Sequence, residues 1–448
     1  MTIVPAAVPY TSLKWQGPIS ELDAAARRAL FDRTSGAGDG GTATLRERTA
    51  AIVARVRREG DAALVALALE LDGVTLESLE VPRTRWSRAL DSLDPALRAA
   101  MERAAANIRQ VHTAFMPVAQ ETGSEPGIVI GRRPDPLGRV GVYAPGGRAA
   151  YPSSVLMGVI PARVAGVGDV IVCSPPGRDT GLPSDVVLAA AALAGADRVF
   201  ALGGAGAVAA MAYGTVTVPR VDRIVGPGNA WVAEAKLQVS SAVAIDSPAG
   251  PSELLVLADD SADPGLVARE LLAQAEHDPL AAVVAVVTSV ELAHGIEHQL
   301  ETQLALQPRA GIIAEALAAQ GAVLVARSLG EAIEFANAWA AEHLLLLVAD
   351  SDPVLAQLRN AGTVFVGAAA SVAFGDYMTG ANHVLPTGGL ARSYSGLSTL
   401  DFVRWTTYQR VTPAAAALLA GDVGVFADAE GLPGHALAAR AWLSGGAR

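Results

Sequence analysis

DVIVCSPPGRDTGLPSDVVLAAAALAGADRVFALGGAGAVAAMAY, residues 169–213, decides the fold. It opens on a short apolar run, breaks at prolines and glycines, continues as an alanine-rich helical stretch, and then repeats that order. Strand, helix, strand, helix at this spacing is the rhythm of a mostly parallel sheet with helical crossovers. Outward from it, strand-like runs at 169–173, 198–202, 223–225 and 242–245 alternate with helical runs at 184–193, 207–213 and 230–239. After Gly250 the rhythm resumes, with strand-like runs at 254–258, 282–287, 322–325, 344–348 and 363–366. Two open α/β domains follow from this pattern. No short internal repeat is visible.

The flanks read differently. Residues 1–36 hold one helical pattern, 19–32, and lead into the flexible string SGAGDGG. From 43 to 116 the chain reads as helices, the last capped by Asp94, with Pro95 in its first turn and Leu97, Met101, Ile108 and Phe115 on one face. His112, on that helix, reads as a surface or boundary histidine. Short strand-like pieces at 127–132 and 139–143 precede the turn-rich loop APGGRAAYPSS. After Ser398 the alternation is lost and the chain reads mainly as helix, a tail that needs something to pack against on its own chain or a partner.

The 448 residues are long enough for a sizeable core, and hydrophobic content is 51%. No uncharged apolar run approaches the ~20 residues of a membrane span. The N-terminus has no basic segment ahead of an apolar core, so no secretion signal is expected. Cys173 is the only cysteine, which excludes an intrachain disulfide and fits a reducing cytoplasm. With 45 acids against 34 bases, the net charge of −11 has the wrong sign for general nucleic-acid binding and favours small-molecule chemistry.

Several stretches carry chemically able side chains. FGDYMTGANHVLPTGG, residues 374–389, sets Asp376 and His383 among glycines and a proline, the composition of an ordered, functional loop. Asp263 and Pro264 start a helix with Gln274 and His277 near its end; a spacing of three puts both on one face, as metal donors or as an ordinary polar helix end. Glu342 and His343 adjoin a buried strand, where a carboxylate beside an imidazole offers two bases of different strength. His294 and His298 have i, i+4 spacing, but nothing nearby completes a site. Gly204 to Ala209 nominally meets the G-x-G-x-x-A dinucleotide form, a weak match in an alanine- and glycine-rich chain. GPGNAWVAEAK puts a glycine turn ahead of a helix, with Asn229 as its cap or as a ligand contact.

In order, VGVYAPGG, AYPSSVLM, AYGT, VGPGNAWVAEAK, AGPSELLVLAD, AQAEHD, AAEHL, FVGAAASVAFGDYMTGANHVLPTGG, SGLS and AEGLPGH resemble the histidinol dehydrogenase family, zinc-dependent, NAD-linked enzymes that end histidine biosynthesis. The match covers about residues 141–435. It implies an α/β fold of two open, incomplete Rossmann-like parallel-sheet domains, an N-terminal helical arm and a C-terminal helical tail. Residues 1–36 would be the arm, and 37–140 with 254–398 a discontinuous catalytic domain with a helical start. Residues 141–253 would form the cofactor side, and 399–448 a tail exchanged within a homodimer whose active sites are shared.

Carried over position by position, the resemblance makes Gln274, His277, Asp376 and His435 the ligands of one zinc ion per chain. Glu342 and His343 become the acid/base residues. Ser252 and Glu430 become substrate contacts, joined by the four metal-site residues and His343, with His383 a wall of the same site. Tyr143, Gly206 and Asn229 fall at cofactor contacts for NAD. Gly206 stands where the family usually has glutamine, and Ala341 where a proline often precedes the Glu-His pair. The implied reaction takes L-histidinol through histidinal to L-histidine in two NAD-dependent oxidations. His343 would accept the alcohol proton, and Glu342 would help water add to the aldehyde. A paralogue oxidising another small polyol or amino alcohol is the first alternative. A metallohydrolase without NAD is the second, and a non-catalytic metal-binding module sits badly with the Glu-His pair. A cytoplasmic enzyme without nucleic-acid or membrane partners is expected.

Overall fold

The β-branched and leucine-rich runs become strands, as their period requires. A computed structural model describes residues 13–33, 39–146 and 150–444; residues 35–38 of the glycine string and 147–149 of the turn-rich loop lie outside them. In chain order the strands are β1 (Trp15–Pro18), β2 (Gln120–Thr122), β3 (Ile128–Pro136), β4 (Arg139–Tyr143), β5 (Asp169–Ser174), β6 (Arg198–Ala201) and β7 (Arg223–Val225). They continue as β8 (Ala244–Ile245), β9 (Glu253–Ala258), β10 (Ala282–Val287), β11 (Gly321–Val325), β12 (His343–Leu347), β13 (Thr363–Val366) and β14 (Val403–Val411).

One parallel sheet has the order β6-β5-β4-β7-β8, and the other β1-β11-β10-β9-β12-β13. Leaving aside β1 at the edge of the second sheet and numbering within each half, both sheets run third, second, first, fourth, fifth, a shared strand order that the residues alone did not reveal. β9 and β10 are buried at every position, because helices cover both faces of a parallel sheet and the strands need not alternate.

Three strands escaped the sequence reading: β1, the three-residue β2 and β14. β1 is four residues long with Gly17 and Pro18 in it, a weak signal by itself; the open edge of β11 supplies its partner, and an edge tolerates proline. Residues read as an arm therefore contribute a sheet strand. β14 adds one strand at the start of a tail that is otherwise mainly helix, as read. It pairs antiparallel with β3 from Val403↔Pro136 to Val411↔Ile128, and β2 lies on the other side of β3. Gly131 leaves room there for the Tyr408 ring, since a Cβ would lie 2.2 Å from it. Beyond β14 come the helices Pro413–Ala429 and Pro433–Arg440, packed on one another.

The helix Pro95–Ala114 forms as its cap predicts, with Asp94 accepting from the Ala96 and Leu97 amides. Its inward face is Met101, Ala104, Ala105, Ile108 and His112, whereas Leu97 and Phe115 are exposed. His112 is thus a core residue, 3% exposed, with neither ring nitrogen partnered. Burial pushes its pKa down to about 4. The unfolded chain, with an ordinary imidazole near ~6.5, takes up a proton that the folded chain refuses. The stabilising contribution is therefore full above that value and is lost as pH falls through about 4, amounting to about 3 kcal/mol. His112→Leu is expected to flatten the decline of stability between ~pH 6.5 and ~pH 4 in denaturant titrations. An equally steep decline in the variant would remove His112 as its cause.

Candidate active site

β9 and β12 are neighbours at the centre of their sheet, and each begins on a chemically able residue, Glu253 and His343. Open α/β sheets commonly bind ligands at the carboxyl ends of their strands. Here the Glu-His pair lies at the amino ends of β9 and β12. The linker from Ile245 to Glu253 explains this, because it joins the carboxyl end of β8 in one sheet to the amino end of β9 in the other. The two edges face a common junction.

Glu342 and Glu253 lock the turn reciprocally. The Glu253 amide donates to Glu342 Oε2 at 2.7 Å, and the Glu342 amide donates to Glu253 Oε2 at 3.4 Å. His343 Nδ1 lies 3.0 Å from the Glu253 carbonyl oxygen. A carbonyl only accepts, so Nδ1 carries a proton and Nε2 is the working atom. Nε2 is buried without a hydrogen-bond partner, 3.6 Å from Asp376 Oδ1. Burial pulls the imidazole pKa down, but the Glu342 and Asp376 carboxylates outweigh it and hold His343 well above the ordinary value.

The loop 374–389 is ordered, as its composition predicted, although its first residues complete the short helix Val372–Tyr377 and so place Asp376 on a helical turn. Side chains from both halves hold it. Asn107 Nδ2 donates to the Met378 carbonyl at 2.7 Å, Asn382 Nδ2 to the Met157 carbonyl at 2.8 Å, and the Gly388 amide to Glu253 Oε1 at 2.6 Å. His383 Nδ1 lies 2.9 Å from the Asp376 carbonyl, and its Nε2 lies 3.5 Å from Ser154 Oγ. His343, Asp376, Asn382 and His383 line one cleft with Phe365 and Thr363.

Burial opposes ionisation of Asp376, but His343, His383 and His277 together hold its carboxyl below the usual range. His277 is thus near the cleft. It follows the helix Pro264–Ala275, which Asp263 caps, and Gln274 is buried one turn earlier. Ser252 immediately precedes β9. Glu430 and His435 are exposed on the tail. Among the described residues, no three histidine, cysteine or carboxylate side chains are grouped to hold a metal ion. Of the expected donors, His277 lies close enough to Asp376 to act on its charge, Gln274 is buried at the end of its helix, and His435 is exposed on the tail; imidazole nitrogen, carboxylate and amide oxygen are donor types that zinc accepts.

On the other sheet the strand order reverses between β4 and β7, the kind of switch point at whose carboxyl ends open α/β sheets commonly bind ligands. Tyr143 ends β4, and its hydroxyl accepts from the Gly204 amide at 3.1 Å. Gly226 follows β7 with φ +114°, and a Cβ there would lie 2.1 Å from the Tyr143 carbonyl oxygen. Asn229 caps the next helix by accepting from the Trp231 and Val232 amides, yet it remains exposed, four residues beyond the end of β7. The nominal G-x-G-x-x-A run follows β6, an edge strand, not the first strand at the switch point, so it lacks the context of a dinucleotide fingerprint. Gly206 is buried, with Leu67 and Leu64 at 3.4 and 3.6 Å from where its Cβ would be.

Glu253 was missed as a site residue, although ELLVLA held the clue of an acid opening an otherwise apolar strand.

Two parallel sheets, one with a switch point between β4 and β7 and the other with a buried imidazole beside two carboxylates, define a two-sheet α/β enzyme architecture. The family model for histidinol dehydrogenase matches residues 38–443. Histidinol dehydrogenase from Methanosarcina mazei is 46% identical over 424 residues, 94% of this chain and 96% of that protein. The Natronomonas pharaonis enzyme of the same name is 49% identical over 422 residues, 93% and 97% of the two chains. The crystal structure of histidinol dehydrogenase from Elizabethkingia anophelis superposes with a TM-score of 0.90 at 32% identity, covering 97% of this chain and 99% of that one. This chain belongs to the histidinol dehydrogenase family.

Proposed function

We propose that the chain catalyses the oxidation of L-histidinol to L-histidine through the aldehyde, the final steps of histidine biosynthesis. Family membership over nearly the whole chain supports the reaction. The observation that carries the residue assignment is the buried, unpartnered Nε2 of His343 beside Asp376. Tyr143 and Asn229 would line the NAD site; Gln274, His277 and Asp376, with His435 of the partner subunit, would hold one zinc ion. When bound, NAD supplies the hydride acceptor and zinc a cationic anchor for the substrate's imidazole and amine nitrogens.

His343 holds its Nδ1 proton on the Glu253 carbonyl and takes the alcohol proton at Nε2. The Glu342 and Asp376 carboxylates both favour proton uptake on this ring, which suits it to draw the proton from the alcohol oxygen. Glu342 assists addition of water to the aldehyde, and His343 acts again as the hydrate is oxidised. Ser252 and His383, with Glu430 of the partner subunit, would orient the substrate around these groups.

We take 37–140 with 254–398 as the catalytic domain and 141–253 as the cofactor domain. The tail would be exchanged in a homodimer. Its exposed apolar side chains support this: Leu418 is 79% exposed, Phe426 71% and Leu437 71%. No helix among the described residues is long and apolar enough to cross a membrane. We assign the enzyme to the cytoplasm, in keeping with the free, buried Cys173.

The deciding measurement is NADH formed per histidinol consumed, read at ~340 nm. The expected ratio is two, with little aldehyde released. A ratio of one, or preference for a polyol without imidazole, would promote the paralogue; turnover without NADH would promote the hydrolase. Purified protein is also expected to carry about one divalent ion per chain and to lose activity on chelation, a reading that a fully active metal-free preparation would end.

A further inference from the structure

Glu253 is 1% exposed and lies among the groups assigned to the chemistry, yet it is not itself assigned to substrate, cofactor or metal. Its Oε1 accepts from Arg33 Nε at 2.9 Å and from the Gly388 amide at 2.6 Å, while Oε2 accepts from the Glu342 amide. Its own amide holds the Glu342 carboxylate, and its carbonyl fixes the His343 ring. One residue therefore meets both members of the acid/base pair and the far end of the loop that carries Asp376 and His383.

Arg33 is fixed just as tightly. Its Nη2 donates to the Trp339 carbonyl at 2.7 Å, and its guanidinium sits 3.6 Å from the Trp339 ring centroid. Trp339 Nε1 donates back to the Leu30 carbonyl at 3.2 Å. The loop closes over this pair at Gly389, whose φ is +76°; a Cβ there would lie 3.4 Å from Arg33 Nη2. Trp339 also ends the helix Leu329–Trp339, just ahead of the Glu342-His343 turn.

We infer that Glu253, neutralised by Arg33 from the N-terminal segment, is a positioning residue that sets Glu342 and His343 against the loop 374–389. The inference rests on the assignment of Glu342 and His343 to the chemistry. Burial pushes the Glu253 carboxyl up to about 7 against the pull of Arg33, so the charged form is costly to keep there. Buried ion pairs are weak devices for stability, because desolvation offsets much of their attraction. An acid retained for its fixed acceptor geometry accounts for one at this place.

The test uses E253A, E253Q and the double variant R33M/E253Q beside the wild type. It reads kcat, KM for histidinol, bound zinc and thermal unfolding. E253A is expected to lose ~10–100-fold in kcat, with KM within ~3-fold and zinc retained, since a small misplacement of acid/base groups costs rate more than binding. E253Q keeps one acceptor oxygen and should recover part of that loss. R33M/E253Q strands no charge, and should fold while remaining slow. Wild-type kcat in folded E253A or R33M/E253Q would overturn the inference. So would kcat falling only in step with folded or zinc-loaded protein, or failure of all three variants to fold, which would make the pair a stability element. If the wild type itself forms no NADH from histidinol, the proposed reaction fails and not the positioning role.

Discussion

Replacing His343 by alanine is expected to lower the rate by ~10²–10⁴ while substrate affinity changes much less. The imidazole is the only described group that offers a buried, unpartnered nitrogen beside Asp376, and no neighbouring side chain can stand in for it. Hydride leaves carbon only as the oxygen sheds its proton, so both oxidations should suffer. Glu342→Gln should behave differently. It keeps an acceptor for the Glu253 amide and so preserves the turn, but removes the carboxylate, and the aldehyde-to-acid half should slow most. Single-turnover assays with histidinol and with supplied histidinal separate the two. Normal oxidation of histidinal by the Glu342 variant would show that water is activated elsewhere.

The second large effect is a recovery of activity. His343→Ala and His435→Ala proteins should each be inactive alone, yet about a quarter of wild-type activity should return when they are unfolded and refolded together. His343 sits at the buried start of β12, whereas His435 is exposed on the helix Pro433–Arg440 and, among the described residues, forms no three-residue metal group. If the tails are exchanged, each mixed dimer has one doubly damaged site and one intact site. Random pairing makes about half the dimers mixed, hence the quarter. Activity at background would mean that each chain builds its own site.

The sequence by itself determined the parallel sheets, because continuous apolar runs such as AVVAVV are stable only where helices cover both faces. Ten strands were legible for that reason, β4 to β13, and β3 of the antiparallel sheet from its own short strand-like run. It also determined the caps at Asp94 and Asn229, which are local, and the order of motifs that placed the chain in its family. It did not determine β1, β2 or β14. β1 has too few β-forming residues to stand without the edge of β11, and β14 takes its pairing from β3, about 270 residues earlier. Tertiary structure alone decided that His112 is buried, that Gly206 lies under Leu64 and Leu67, and that Asn382 and Asn107 pin the loop. It alone put Glu253 between Arg33 and Glu342, because only the sheet order sets β9 beside β12, and hydrogen bonds among residues 220 and 89 positions apart leave no periodic trace in the chain.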